Sequence, residues 1–139
     1  MGIERTFGII KPDAVAKNAS GEVLAMIQKT GLRVLAMRMT RLSRKEAEGF
    51  YAVHKARPFF GDLVTFMTEG PCVVMALEGE NAVLTYRGLM GPTDVAKAPE
   101  GTIRQRFGTN IERNAVHGSD GVDSARFELG WFFRASDLE

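Results

Sequence analysis

The chain contains one cysteine, two histidines and no long apolar run, and each scarcity excludes something. The lone Cys72 sits in the apolar run Cys72-Val73-Val74-Met75-Ala76-Leu77. It leaves no disulfide framework and no cysteine pair for a metal, and reads as a small buried hydrophobe in a reducing compartment. No apolar stretch approaches the roughly 20 residues of a membrane span, and Met1-Gly2-Ile3-Glu4-Arg5 lacks the layout of a signal peptide. The expectation is a cytoplasmic protein with no membrane partner, in which Asn18-Ala19-Ser20 is an empty match to a glycosylation acceptor. Charge of neither sign is in excess, 18 basic residues facing 17 acidic ones. That argues against a nucleic-acid partner, which needs a broad basic field. Walker-type and Rossmann-type glycine loops and the HExxH zinc motif are also missing. If this chain handles phosphate, it does so with side-chain cations.

What is present suits one domain over residues 1–139, since 45% hydrophobic residues can fill a core at this length. Thr6–Ile10 reads as a strand ended by Lys11-Pro12-Asp13, because proline cannot donate to the ladder. A helix is expected from Gly21 to Thr30, stopped by Gly31. Val34–Met39 alternates as a strand, with Leu35, Met37 and Met39 on a buried face. Ser43-Arg44-Lys45-Glu46 is a capping box that opens a helix running towards His54, and Phe59–Met67 is a further short helix. Cys72–Leu77, apolar throughout, reads as a central strand. Glu80–Met90 is helical with Gly91 as terminator, and Gly91–Gly101 is an ordered loop. Thr102–Phe107 is a short helix, Ala115-Val116 a short fourth strand, and Asp120 the cap of a last helix over Gly121–Phe133. Strands interleaved with helices predict an α+β, ferredoxin-like sandwich: a four-stranded antiparallel sheet covered by helices, expected on one face.

Chemistry concentrates at Asn114-Ala115-Val116-His117-Gly118-Ser119-Asp120. An imidazole stands there beside a glycine that permits close approach of an anion, and beside a hydroxyl and a carboxylate able to orient a ring nitrogen. On the last helix Val122, Ala125, Leu129, Phe132 and Phe133 form an apolar stripe. Glu128 lies at its edge, so its carboxylate is partly buried and needs a partner. His117, just before the same helix, is the candidate partner, with an arginine on the helix surface the alternative. A carboxylate holding one imidazole nitrogen leaves the other free as a nucleophile. Lys11, Arg87 and Arg104 fall at element ends, where open sheets place ligands; taken singly, each is also an ordinary solvated charge. Tyr51, Phe59 and Phe60 read as core, with one of the two phenylalanines able to present a ring to a base, and His54 reads as structural. Phe127 and Trp131 share the opposite face of the last helix, where a subunit contact or covering segment is expected.

Together these segments resemble a known family. Arg5-Thr6 with Ile10-Lys11-Pro12-Asp13, Phe50-Tyr51 through His54 to Arg57-Pro58-Phe59-Phe60, Gly70-Pro71, Glu78-Gly79-Glu80-Asn81-Ala82-Val83, Gly101-Thr102-Ile103-Arg104 and Asn114 to Asp120 recur, in this order, in bacterial-type nucleoside diphosphate kinases. The resemblance implies transfer of the terminal phosphate of a nucleoside triphosphate, typically ATP, to a nucleoside diphosphate. It implies a phosphohistidine at His117, ping-pong kinetics and a role in maintaining NTP and dNTP pools. It implies Glu128 and Ser119 as the orienting groups, with Gly118 leaving room beside the ring. Lys11, Arg87 and Arg104 hold phosphates, supported by Thr93 and Tyr51. Asn114 and Lys11 meet the sugar hydroxyl, Phe59 stacks on the base, and Leu63 and Ile111 line the slot. Mg2+ is carried mainly by the nucleotide phosphates, with no protein metal ligand.

The chain departs from the family pattern at Asp94-Val95, where Asn-Pro is usual, and at Phe127, where a charge is common. Loss of that proline is expected to loosen the loop or a subunit contact. The end at Glu139, short of the eukaryotic extension, favours a dimer or tetramer over a hexamer. Two rival readings, a nucleotide-holding regulatory module and a protein phosphocarrier, lack a use for the complete residue set.

Overall fold

A computed structural model describes residues 2–139. Its four strands are β1 (Ile3–Ile10), β2 (Arg33–Thr40), β3 (Cys72–Glu80) and β4 (Val116–Gly118). They form one antiparallel sheet in the order β2-β3-β1-β4. Between them run α1 (Pro12–Ala16), α2 (Ser20–Lys29), α3 (Arg44–Phe50), α4 (Phe60–Met67), α5 (Ala82–Met90), α6 (Ile103–Phe107) and α7 (Val122–Phe132). Two βαβ-like crossovers, β1 to β2 and β3 to β4, give the ferredoxin-like pattern. β1 and β3 pair along eight consecutive positions from Ile3↔Glu80 to Ile10↔Val73 and form the centre of the sheet. That place explains the unbroken apolar run of Cys72–Leu77, every residue of which is buried.

Both faces of the sheet are covered, where one was expected. Phe7, Ile9, Val74 and Ala76 pack with α3, α4 and α7 through Phe50, Val64, Phe66, Leu129 and Phe132. Ile10, Val73, Met75 and Leu77 pack on the other side with Val23 and Ile27 of α2 and Tyr86 and Met90 of α5. Central strands with two apolar faces need both covers, since either one bare would expose a large apolar surface. A second difference is β2. Met37 and Met39 are 53% and 58% exposed, not buried. β2 is an edge strand with a register shift between Val34 and Ala36, and such a bulge turns the pleat out of step with the sequence alternation.

Local signals otherwise act as read. Ser43 accepts from the Glu46 N–H at 3.0 Å while the Glu46 carboxylate accepts from the Ser43 N–H at 2.9 Å, closing the capping box. Gly91 ends α5 at φ +82°, and a Cβ there would lie 2.9 Å from the Thr102 hydroxyl. At the start of α7 the cap position is Gly121, not Asp120. Asp120 instead accepts from the Ser124 hydroxyl, whose oxygen takes the Gly121 N–H at 3.0 Å. Val122, placed in the apolar stripe of α7, is 49% exposed.

Candidate active site

The end of β1 and the short β4 create the site. Ile9 pairs with His117 and Ile10 with Val116, and the Lys11 N–H extends the contact to the Ala115 carbonyl at 2.8 Å. His117 therefore lies within β4, not in the loop before α7, and Lys11 sits beside it at the same sheet edge. The chain reaches this register through a tight turn at Ala115, whose φ is +74°. The Val116 N–H closes the turn on the Asn114 carbonyl at 2.9 Å, a γ-turn of the rare, strained hand for an L-residue. Asp13 holds it, one carboxylate oxygen accepting from the Ala115 N–H at 3.0 Å. Its other oxygen is buried without a partner.

His117 donates from Nε2 to Glu128 Oε1 at 2.8 Å, and the Ser119 hydroxyl donates to the same oxygen at 2.8 Å. A carboxylate can only accept there, so Nε2 carries the proton and Nδ1 keeps its lone pair. Phe7, Phe50 and Tyr51 surround the imidazole, with ring centroids 6.2, 5.4 and 6.2 Å away. The ring is thus gripped by a hydrogen bond at one nitrogen and by aromatic walls. The Tyr51 hydroxyl is buried without a hydrogen-bond partner, and burial pushes its pKa far above the ordinary value. It is a donor in waiting, not an acid.

Three cations stand at the ends of neighbouring elements. Lys11 is 7% exposed and donates to Asn114 Oδ1 at 2.9 Å. Burial lowers its pKa from 10.5 to about 8, with the Arg104 charge adding to the effect and Asp13 and Glu112 opposing it. The Arg104 guanidinium donates to the carbonyls of Asn114 (3.3 Å), Gly91 (2.9 Å) and Val116 (2.8 Å). Of its five N–H groups three are so engaged, and two remain without a partner among the described residues. Arg87 is exposed in the last turn of α5; burial lowers the pKa of Arg104, and the Arg87 charge adds to that. Asn114 Nδ2 donates to the Ile111 carbonyl at 2.9 Å and the Thr93 carbonyl at 3.4 Å. Asn114 thus joins the loop around Thr93 to the loop that carries Ile111.

The remaining sequence-derived positions differ in exposure. Thr93, Phe59 and Ile111 are exposed and Leu63 half-buried. Phe59 is flanked by the His54 ring at 5.5 Å. Gly118 faces a different demand from the one expected: a Cβ there would lie 2.8 Å from Met90 Cε and from Tyr86 Cδ2. The glycine lets β4 lie flat on α5. At the departure from the family pattern, Asp94 caps the turn Val95–Lys97 by accepting from the Ala96 N–H at 3.1 Å. Val95 occupies the space against Gly108. The loop has these two local restraints in place of proline.

Asp13 and Ala115 were not singled out by sequence reasoning. Nothing in the composition marks an alanine forced to positive φ, and Asp13 lay in a quoted motif without a role. The ion pair of Arg113 with Glu69, two bonds of 2.9 Å, was equally invisible.

An oriented imidazole beside convergent cations on a ferredoxin-like sheet is the apparatus of a phosphotransferase that works through histidine. The nucleoside diphosphate kinase profile matches residues 4–138. The chain is 59% identical over 133 residues to a nucleoside diphosphate kinase of Anaeromyxobacter dehalogenans, covering 96% of this chain and 90% of that one. It is 56% identical over 136 residues to that of Nitratidesulfovibrio vulgaris, with 98% of each covered. Among solved structures, the Aquifex aeolicus nucleoside diphosphate kinase superposes with a TM-score of 0.97 at 40% identity, covering 99% of this chain and 100% of that chain. A halophilic one from Halobacterium salinarum, in complex with CDP, gives 0.94 at 36%, covering 99% and 92%. The chain belongs to the nucleoside diphosphate kinase family, enzymes that move the terminal phosphate of a triphosphate to a diphosphate.

Proposed function

We propose that residues 1–139 act as one nucleoside diphosphate kinase domain, with His117 as the nucleophile of a two-step exchange. The observation that carries this is the His117 Nε2–Glu128 contact at 2.8 Å, which leaves Nδ1 with its lone pair unengaged. Nδ1 attacks the terminal phosphorus of the donor triphosphate, typically ATP. The bridging P–O bond breaks, the diphosphate leaves with the bonding pair, and a phosphohistidine remains. A terminal phosphate oxygen of the acceptor diphosphate then attacks that phosphorus, the P–N bond breaks and His117 is restored. One site serves both halves, so the kinetics are ping-pong. The product is a replenished pool of NTPs and dNTPs.

The transition state is loose, and what it needs is positioning and neutralisation of charge on the equatorial oxygens. Lys11, Arg87 and Arg104 supply the cations, and Thr93 and the unpartnered Tyr51 hydroxyl supply neutral donors. Glu128, with Ser119, stabilises the imidazolium character that grows as Nδ1 bonds to phosphorus. Asn114 and Lys11 meet the sugar hydroxyl. Phe59 stacks on the base, with Leu63 and Ile111 as the slot walls and Gly118 lying beside the ring; the CDP complex of the halophilic relative supports a nucleotide site. Stacking tolerates any base, because each has a π-face.

Among the described residues no three His, Cys, Asp or Glu side chains gather into a metal-binding group. The donor set at the site is cationic and amide, which suits Mg2+ arriving as part of the nucleotide complex. Bound there, the ion would offset charge on the donor phosphates. No helix among the described residues is long and apolar enough to cross a membrane, and we place the protein in the cytoplasm. The exposed Phe127–Trp131 pair, centroids 5.8 Å apart, supports a homo-oligomer, a dimer or tetramer, which solution mass measurement tests.

The deciding experiment is incubation with terminally labelled ATP and magnesium, then addition of an unlabelled diphosphate. Acid-labile label on His117 that the diphosphate removes is the expected result. No label, or full exchange by His117→Ala, would overturn the reading. Label that no diphosphate can remove would point to a protein phosphocarrier.

A further inference from the structure

The two walls of the base slot come from distant parts of the chain. One is the start of α4, with Phe59 and Leu63; the other is the 109–113 loop, with Ile111. Stacking strength depends on how far apart such walls are held, because dispersion falls steeply with separation. What holds them is therefore a question about specificity.

The loop is internally rigid. The Asn110 side chain accepts from the N–H groups of Glu112 (3.0 Å) and Arg113 (2.8 Å), and the Thr109 N–H donates to the Arg113 carbonyl at 2.7 Å. It behaves as one piece, so its position is set by its anchors. On one side Lys17 Nζ donates to Thr109 Oγ1 and to the Phe107 carbonyl, both at 2.8 Å. On the other, Arg113 forms a two-pronged pair with Glu69, just past the end of α4, at 2.9 Å for each bond. The Arg113 guanidinium also lies 4.7 Å from the centroid of the buried Phe66 ring of α4. Fork geometry and the ring face together fix direction as well as distance. This is a direct side-chain bond from the 109–113 loop to the C-terminal end of α4, joining residues 44 positions apart.

We propose that the Arg113–Glu69 pair is a clamp that sets the width of the base slot. Both are positioning residues: they act on base binding through Phe59, Leu63 and Ile111, and not on phosphoryl transfer at His117. The clamp rests on the reading of that slot as the base site. Purines, which span more of both walls, depend on it more than pyrimidines do. The pair is about two-fifths exposed on each side, so the effect is modest and screened by salt.

The test is steady-state kinetics of the full-length chain with ATP as donor and GDP or CDP as acceptor. Glu69→Gln is expected to raise KM for GDP about two- to five-fold, and less for CDP, with kcat unchanged. The difference from the parent should disappear at about 1 M salt. The swapped double variant, Glu69→Arg with Arg113→Glu, should recover KM if the bond itself matters. An unchanged KM in Glu69→Gln, or a loss confined to kcat, overturns the clamp. Phe59→Ala keeps the two ideas separable. If it leaves KM unaltered, the base-slot reading fails; if it raises KM while Glu69→Gln does not, only the clamp fails.

Discussion

Raising the pH through 8 should weaken nucleotide binding, and Lys11 is the cause. Its ammonium is 7% exposed, makes its one side-chain hydrogen bond to the neutral Asn114 amide at 2.9 Å, and has Arg104 nearby. Burial and that neighbour bring its pKa from 10.5 down to about 8. At about 1.4 kcal/mol per pH unit, this difference is worth roughly 3 kcal/mol. A diphosphate placed against Lys11 returns the group to its charged form, so binding takes up protons. The uptake is about half a proton at pH 8 and nearly a whole one at pH 9. Affinity for Mg-ADP should be about tenfold weaker at pH 9 than at pH 7. Isothermal titration in two buffers of different ionisation heat reads the proton directly, and ADP without a donor avoids turnover. Lys11→Arg cannot lose its charge in this range and should flatten the profile while retaining some binding. The sign for folding is the reverse. The unfolded chain holds the proton more tightly, so between pH 8 and about 10.5 stability gains from this group as pH rises. No proton uptake at pH 8–9, or the same pH profile in Lys11→Arg, would refute the reasoning.

Other perturbations separate chemistry from scaffolding. Glu128→Gln still fills the space and can accept from Nε2, but it removes the charge facing the imidazolium; kcat should fall by about ten- to hundredfold, read by rapid phosphorylation kinetics, with the fold intact by circular dichroism. Ala115→Gly relieves a positive φ that alanine tolerates poorly, so unfolding in urea should show a gain, or at worst no loss, of about 1 kcal/mol. Asp13→Ala at the same turn should go the other way by about 1–3 kcal/mol, because the buried Ala115 N–H loses its acceptor. Gly118→Ala puts a methyl within 2.8 Å of Tyr86 and Met90; it should cost about 1–3 kcal/mol and lower activity by displacing β4, measured by thermal melting alongside initial rates.

Much of this fold is written in local pattern. The apolar run of β3, the capping box at Ser43 and the glycine stop at Gly91 each describe an interaction over a few residues, and the chain obeys them. Patterns that depend on a partner element were misleading. Met37 and Met39 alternate like a buried face, yet they lie exposed on an edge strand, because the bulge between Val34 and Ala36 puts the pleat out of step with the alternation. β4 spans three residues, too few for a periodicity to emerge, and its strand geometry comes from pairing with Gly8–Ile10.

The stretch from Asn114 to Ser119 shows the division most clearly. The sequence by itself determined which groups were on offer: one imidazole with a hydroxyl two residues on, and a carboxylate at the edge of an amphipathic helix. Helical spacing was enough to say that Glu128 would be half-hidden and would need a partner. Tertiary structure decided the rest. β1 pairs with β4 and packs on α7, and that packing brings Glu128 to 2.8 Å from Nε2. The strained turn at Ala115, held by Asp13 from the other end of the chain, sets the register of His117 against Ile9. Arg104 engages three donors on backbone carbonyls and keeps two unengaged. Such facts depend on distances between residues about ten to a hundred positions apart, and local physical preference carries no information about them until the sheet has closed.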